Sequence, residues 1–215
     1  MKLYLDSANV SEARMVKEWG WVSGVTTNPI LMSQVNEDVA STLRQLAAVG
    51  FNELFYQVVS QDLEGMISEA RLVKEIVGKS LILKVPPNDL GFRFVVNNKS
   101  DYPCCVTAIY NPSQALVARA AGAKYLAVYV NRASRLLGDG IGLVSEITKI
   151  LIGCDTELIA ASIKSPAEAC AAFSAGAHHI TLSMAVLEKL SEDNNSIETM
   201  KQFNLTGKGL EKSQK

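Results

Sequence analysis

Histidine is scarce in this sequence. His178 and His179 are its only two. As neighbours on a strand they face opposite sides, and with no third histidine to complete a site, zinc chemistry is not expected. The four cysteines, Cys104, Cys105, Cys154 and Cys170, show no CxxC spacing. They read as reduced, buried packing residues, not as a metal cluster or a disulfide framework. Charge of one sign is also missing: 21 basic residues face 22 acidic ones, for a formal net charge of -1. No Lys/Arg block precedes the last dozen residues, so nucleic acid and anionic membrane are excluded as partners and any phosphate contact must be local. No apolar run approaches the ~18 residues that cross a bilayer. The opening stretch Met1–Asp6 has strand character without the features of a signal peptide, so the expected compartment is the cytoplasm.

What is present is regular. Within 215 residues, 48% of them hydrophobic, short β-rich runs alternate with segments of helical spacing. Strands are expected at 2–6, 24–28, 54–59, 81–86, 104–109, 125–130, 157–162 and 178–183. Helices are expected near 11–19, 38–48, 63–77, 112–121, 143–152, 166–174 and 184–190, while 88–103 reads as a short or distorted crossover. Ser11, Asp62 and Ser165 are start signals, and Gly50, Gly78, Gly122, Gly153 and Gly176 stand where helices end in a left-handed residue. Strands separated by single helices run parallel. Eight such units predict a single (β/α)8 TIM barrel over residues 1–190, with an open doubly wound sheet as the alternative. Residues 191–215 hold one more short helical patch and a polar tail, an exposed appendage or an arm packing on another subunit, and not a separate domain.

A barrel places its chemistry at the C-terminal rim, so polar residues late in strands carry the information. Alternation puts Asp6 on the face of Tyr4, Asn28 with Thr26, Gln57 with Phe55, Lys84 with Ile82, Thr107 with Cys105, Tyr129 with Ala127, and Ser162 with Ala160. Lys84 is set in Leu81-Ile82-Leu83 and Val85-Pro86-Pro87, and lysine is almost never buried without a reason. A free lysine has a pKa of ~10.4, so about one molecule in two thousand is a neutral amine at pH 7. Burial disfavours the ammonium, which is how Schiff-base lysines are activated. The competing account is a stem that packs while its head reaches water. Asp6 is either a general acid/base or a helix cap. Asn28 before Pro29 could simply end its strand, Gln57 could be a core amide, and Tyr129 could fill a core. Arg132 and Lys164 follow strands six and seven, where with Ser162 they would hold a phosphate or stand as solvated rim charges.

The motifs LYLDSANV (3–10), GVTTNP (24–29), FYQVV around Gln57, LKVP (83–86), VTAIYNPSQAL (106–116), YVNR (129–132) and AASIKSP (160–166) together resemble the short-chain transaldolases and fructose-6-phosphate aldolases, in order and spacing through all eight strands. The resemblance implies a cofactor-free, metal-free class I enzyme acting on fructose 6-phosphate. Lys84 is then the Schiff-base lysine and Asp6 the acid/base. Thr26, Asn28 and Ser162 contact the dihydroxyacetone part, Gln57, Thr107 and Tyr129 hold a catalytic water, and Arg132, Ser162 and Lys164 bind phosphate. It also implies a homo-oligomer, since ring-shaped assemblies, often decamers, occur among the short members.

Cleavage at C3–C4 would release glyceraldehyde 3-phosphate and leave a dihydroxyacetone enamine on the lysine. An aldolase protonates and hydrolyses that enamine, whereas a transaldolase of the pentose phosphate pathway hands it to erythrose 4-phosphate to form sedoheptulose 7-phosphate. Many transaldolases have Glu where this chain has Gln57, and the larger ones have Phe at Tyr129. Both departures run toward the aldolase pattern, so aldolase-type release is expected, with transfer as the alternative. Lys164 stands where larger transaldolases have Arg, which replaces a fork by a point charge and suggests weaker phosphate affinity. A non-catalytic sugar-phosphate-binding barrel and a non-covalent isomerase using Asp6 are the more distant readings.

Overall fold

A computed structural model describes residues 1–209, so the last six residues of the expected polar tail lie outside the described residues. Eight parallel strands close into a barrel in chain order. They are β1 (Lys2–Asp6), β2 (Gly24–Thr26), β3 (Glu53–Gln57), β4 (Leu81–Val85), β5 (Cys104–Ile109), β6 (Tyr125–Tyr129), β7 (Glu157–Ala161) and β8 (His179–Leu182). Ladders between β1 and β8 and between β7 and β8 complete the ring. The (β/α)8 fold expected from the alternation is therefore the fold observed, and the open sheet is excluded.

The helices follow their local signals. The helices α1 (Val10–Trp19), α3 (Val39–Ala48), α4 (Leu63–Val77), α6 (Pro112–Ala121), α9 (Pro166–Ser174) and α10 (Met184–Leu190) lie within a residue of their expected positions, and α8 (Gly140–Ile150) starts three residues early. Side chains of Asn9, Asp38, Asp62, Asn111, Asp139 and Ser165 accept the free N–H groups that open α1, α3, α4, α6, α8 and α9, as orphan donors require. The start signal for α1 is thus Asn9, not Ser11.

Two helices were not expected, α2 (Pro29–Ser33) and α7 (Val130–Leu137). The first is a single turn and a half. The second begins at the residue after β6, so its opening valine looks like strand. The segment taken for a distorted crossover is a regular ten-residue helix, α5 (Asp89–Asn98), capped by Asn88. The five glycines expected to be left-handed all have positive φ.

Side chains pointing into the barrel form levels. At the N-terminal end, Glu53 on β3 accepts from the Lys2 ammonium at 3.0 Å and from the Tyr4 and Tyr125 hydroxyls at 2.6 Å each. His179 accepts the Lys2 backbone N–H at Nδ1, while its Nε2 lies 3.2 Å from a Glu157 oxygen. Above this polar plug Tyr4, Phe55, Ile82, Cys105, Tyr125, Ala127 and Ile159 make a closed apolar cluster, so the barrel is filled from below and open only at the top. The larger core lies between strands and helices and includes Leu5, Leu54, Leu83, Phe94, Leu126 and Leu158. The last helix, α11 (Asn194–Thr206), has no buried residue. Its Ile197, Met200, Phe203 and Leu205 are exposed. Cys104 and Cys105 are buried as expected, but Cys170 is exposed on α9, whose apolar face is carried by alanines, and so is not a packing residue.

Candidate active site

Above the apolar cluster, the C-terminal rim opens into a cavity of about 520 Å³. Asp6, Thr26, Asn28, Gln57, Lys84, Tyr129, Arg132, Ser162 and Lys164 all line it. These nine residues come from six separate segments, brought together because each ends or follows a strand of the same barrel. Thr107 is the one expected residue that does not line the cavity. It is buried behind the rim, and its hydroxyl donates to the Tyr129 hydroxyl at 3.4 Å.

Lys84 is 5% exposed. Its ammonium donates to the Thr27 carbonyl at 2.7 Å, and that carbonyl belongs to a segment itself pinned by Thr27, whose N–H and hydroxyl both donate to the Phe55 carbonyl. This backbone hydrogen bond, and no acidic partner among the described residues, holds the buried amine in place. Directly beside it in the β4–β5 ladder is Cys105. Burial pushes that thiol up to about 12, against the pull of the nearby lysine charge. The sulfur therefore stays protonated and does not compete as a nucleophile at neutral pH.

Asp6 does not cap the following helix; that task falls to Asn9. Asp6 Oδ1 accepts the Thr26 hydroxyl at 2.8 Å. Asn28 does cap: its Oδ1 accepts the N–H groups of Ile30 and Leu31, both at 3.0 Å, which opens α2. The competing account of Asn28 as the end of its strand does not hold, since β2 ends at Thr26; Asn28 is a helix cap that also lines the cavity. Gln57 Oε1 is buried without a hydrogen-bond partner among the described residues, so it is free to accept from water or from a hydroxyl that enters.

Ser162 reaches the cavity by a route that alternation misplaced. The inward residues of β7 are Ile159 and Ala161, and Ala160 faces the outer core. Ser162 is nevertheless turned into the site because its φ is 61°, a left-handed conformation that costs a non-glycine residue roughly 1–2 kcal/mol. Ala108 has φ 58°, sits in the register shift of the β5–β6 ladder and lines the same cavity. Two strained residues on the rim of one pocket mark it as a functional region.

Arg132 and Lys164 are exposed at the mouth. The Arg132 guanidinium lies over the Tyr129 ring, 5.0 Å from its centroid. Glu168 ties the start of α7 to the loop after β7: it accepts the Lys164 backbone N–H at 2.7 Å and the Asn131 side-chain amide at 3.1 Å. Thr181 on β8 also lines the cavity and was not among the residues expected. Its parity with His179 and its place near the end of the last strand were the available signals.

A closed eight-stranded barrel with a buried lysine, a carboxylate and cationic rim residues around one mouth defines an enzyme of the Schiff-base aldolase/transaldolase type. The comparisons agree: the sequence profile described as Transaldolase/Fructose-6-phosphate aldolase matches residues 3–214, and the chain belongs to that family. A protein named probable transaldolase from Aquifex aeolicus is 35% identical over 193 residues, 88% of each chain. One of the same name from Clostridium acetobutylicum is 36% identical over 88% of this chain and 89% of its own. Among solved structures, a mandelate oxidase chain superimposes with a TM-score of 0.63 at 19% identity, over 92% of this chain and 69% of its own. That likeness concerns the barrel alone. No helix among the described residues is long and apolar enough to cross a membrane.

Proposed function

We propose that this protein cleaves fructose 6-phosphate through a Schiff base on Lys84. The observation that carries the reading is the lysine itself, buried inside the barrel mouth, tethered to a backbone carbonyl and lining the same cavity as Asp6. Attack of the neutral amine on the C2 carbonyl and loss of water form an iminium. Asp6 takes the C4 hydroxyl proton, the C3–C4 electron pair flows into the iminium, and glyceraldehyde 3-phosphate leaves. A dihydroxyacetone enamine remains on Lys84. In this reading Thr26, Asn28 and Ser162 hold the dihydroxyacetone portion, while Arg132, Ser162 and Lys164 hold the phosphate at the mouth.

The fate of the enamine turns on Gln57, Thr107 and Tyr129. A phenol hydroxyl hydrogen-bonded to Thr107 and a free amide acceptor at Gln57 suit the holding of a water that delivers a proton to the enamine carbon, which supports aldolase-type release. The alternative, transfer to erythrose 4-phosphate, is supported by the names of the relatives. We further propose a homo-oligomer built through α11, whose apolar residues are exposed and none of whose residues is buried among the described residues.

The test is glyceraldehyde 3-phosphate release from excess fructose 6-phosphate, with and without erythrose 4-phosphate. Multiple turnovers without acceptor establish the aldolase, and release that stops near one equivalent per site until acceptor is added establishes the transaldolase. Borohydride should trap substrate on Lys84, and Lys84→Met should abolish both trapping and turnover. Sugar-phosphate binding that persists in Lys84→Met, with no product from the wild type, would instead mark a binding protein.

A further inference from the structure

Behind Asp6 lies a chain of two buried hydroxyls. Asp6 is on β1, and the two strands paired to β1 each supply one member. Thr26 on β2 stands directly beside Asp6 in the ladder. Thr181 on β8 stands beside Tyr4, one inward level below Asp6. The Thr26 hydroxyl is 2.8 Å from Asp6 Oδ1 and 2.6 Å from the Thr181 hydroxyl. Thr26 is 3% exposed and Thr181 4%, so both are shielded from bulk solvent although they line the cavity.

The direction of the chain follows from proton counting. A hydroxyl has one proton to donate, and a carboxylate only accepts. With Asp6 ionised, the Thr26 proton points to Asp6 Oδ1. The contact between the threonines must then run the other way, with Thr181 donating to Thr26. A donor that is itself an acceptor is polarised, and its own bond is strengthened. Thr181 also removes the alternative in which Thr26 turns away from Asp6 to donate elsewhere. Asp6 Oδ1 is thus held from one side, and Oδ2, which has no partner among the described residues, is left for the substrate.

We propose that Thr181 is a positioning residue for Asp6, acting through Thr26 to fix the carboxylate for proton transfer in the carbon–carbon cleavage step. This rests on the reading of Asp6 as the acid/base. The inference separates two parts of the reaction. Iminium formation depends on Lys84, whose amine is held by the Thr27 backbone carbonyl and makes no hydrogen bond to Asp6, Thr26 or Thr181. Cleavage depends on the orientation of Asp6. Loss of the Thr181 hydroxyl should therefore slow the second and spare the first.

The experiment compares wild type, Thr181→Val and Thr181→Ser in two assays on fructose 6-phosphate: borohydride trapping on Lys84, and glyceraldehyde 3-phosphate formation in a single turnover. Thr181→Val keeps the shape and deletes the donor, so it should trap within about twofold of wild type and cleave about tenfold more slowly, a typical loss for a misplaced acid/base. Thr181→Ser keeps the donor and should restore cleavage to within about threefold. Thr181→Ala carries the same expectation as valine should the valine protein fail to fold.

Cleavage by the valine variant at the wild-type rate overturns the proposal. Equal impairment of the serine and valine variants also overturns it, since the methyl group and not the hydroxyl would then matter. Loss of trapping in parallel with cleavage does the same, because the effect would not be confined to Asp6. In each of these results the wild type still traps and cleaves, and the Schiff-base reading stands. A wild type that traps nothing removes that reading, and this inference with it.

Discussion

At the residue scale, the most consequential group outside the cavity is Glu53. Burial alone would raise its pKa, but the hydroxyls of Tyr125 and Tyr4 and the Lys2 ammonium outweigh burial and hold it below the ordinary value. Tyr4 and Tyr125 are pushed up, first by burial and then by the carboxylate. A depressed carboxyl contributes stability that is present above its unfolded pKa, about 4.3, and is lost as the pH falls through the folded value. His179 acts in the same sense. Burial lowers its pKa, and its Nδ1 must stay unprotonated to accept from Lys2, so protonation below about pH 6.5 opposes the fold. Glu53→Gln should cost about 2 kcal/mol at pH 7. The difference from wild type should shrink as the pH falls through the depressed folded value of the native carboxyl; urea melts over a falling pH series read this directly. Lys84 was legible in the sequence because a charge within an apolar strand has no ordinary reason to be there. Ser162 was assigned to the site on the wrong parity, because alternation holds only while φ is negative and extended.

At the element scale, strands and helices were legible wherever a cap, a period and a terminating glycine agreed, as in α4 and α6. They were not legible where elements abut without a loop, as at Tyr129 and Val130, or where tertiary contact decides. The helix α5 is the clearest case of the latter. Its Gly91 passes so close to the preceding loop that an added Cβ would lie 2.0 Å from the Pro86 carbonyl oxygen. Helix propensity alone predicts that Gly91→Ala stabilises by about 1 kcal/mol. The contact predicts the opposite: destabilisation by about 2 kcal/mol or more, as α5 is pushed off the end of the strand that carries Lys84. The sign of the change in thermal midpoint decides between the two. The cavity-lining role of α2 was invisible for a related reason, since five residues carry too short a period to be recognised, although its Asn28-Pro29 opening is ordinary helix-start chemistry.

At the scale of the whole molecule, eight alternating units were enough to specify a closed barrel, because parallel strands joined by right-handed crossovers leave few other ways to bury both faces of a sheet. The sequence was less informative about α11, seen there only as a short helical patch. It is a 13-residue helix with Ile197, Met200 and Phe203 exposed at spacings of three. If copies of the chain meet through it, the native protein should sediment well above its 23.2 kDa chain mass. Met200→Asp together with Phe203→Asp should shift it toward that mass without lowering the helical signal in circular dichroism, since both side chains are exposed among the described residues.

The last ladder of the barrel joins β1 to β8, where the Lys2 backbone N–H meets the His179 ring across 177 residues. Such a closure pays its loop entropy before any of its contacts form. During synthesis, a chain that has emerged only through β7 carries two open parallel edges, at β1 and β7, and both remain available to neighbouring chains until residues 179–182 arrive. The polar plug that Lys2, Glu53 and His179 form together is therefore a latch that is completed only after nearly the whole protein has been made.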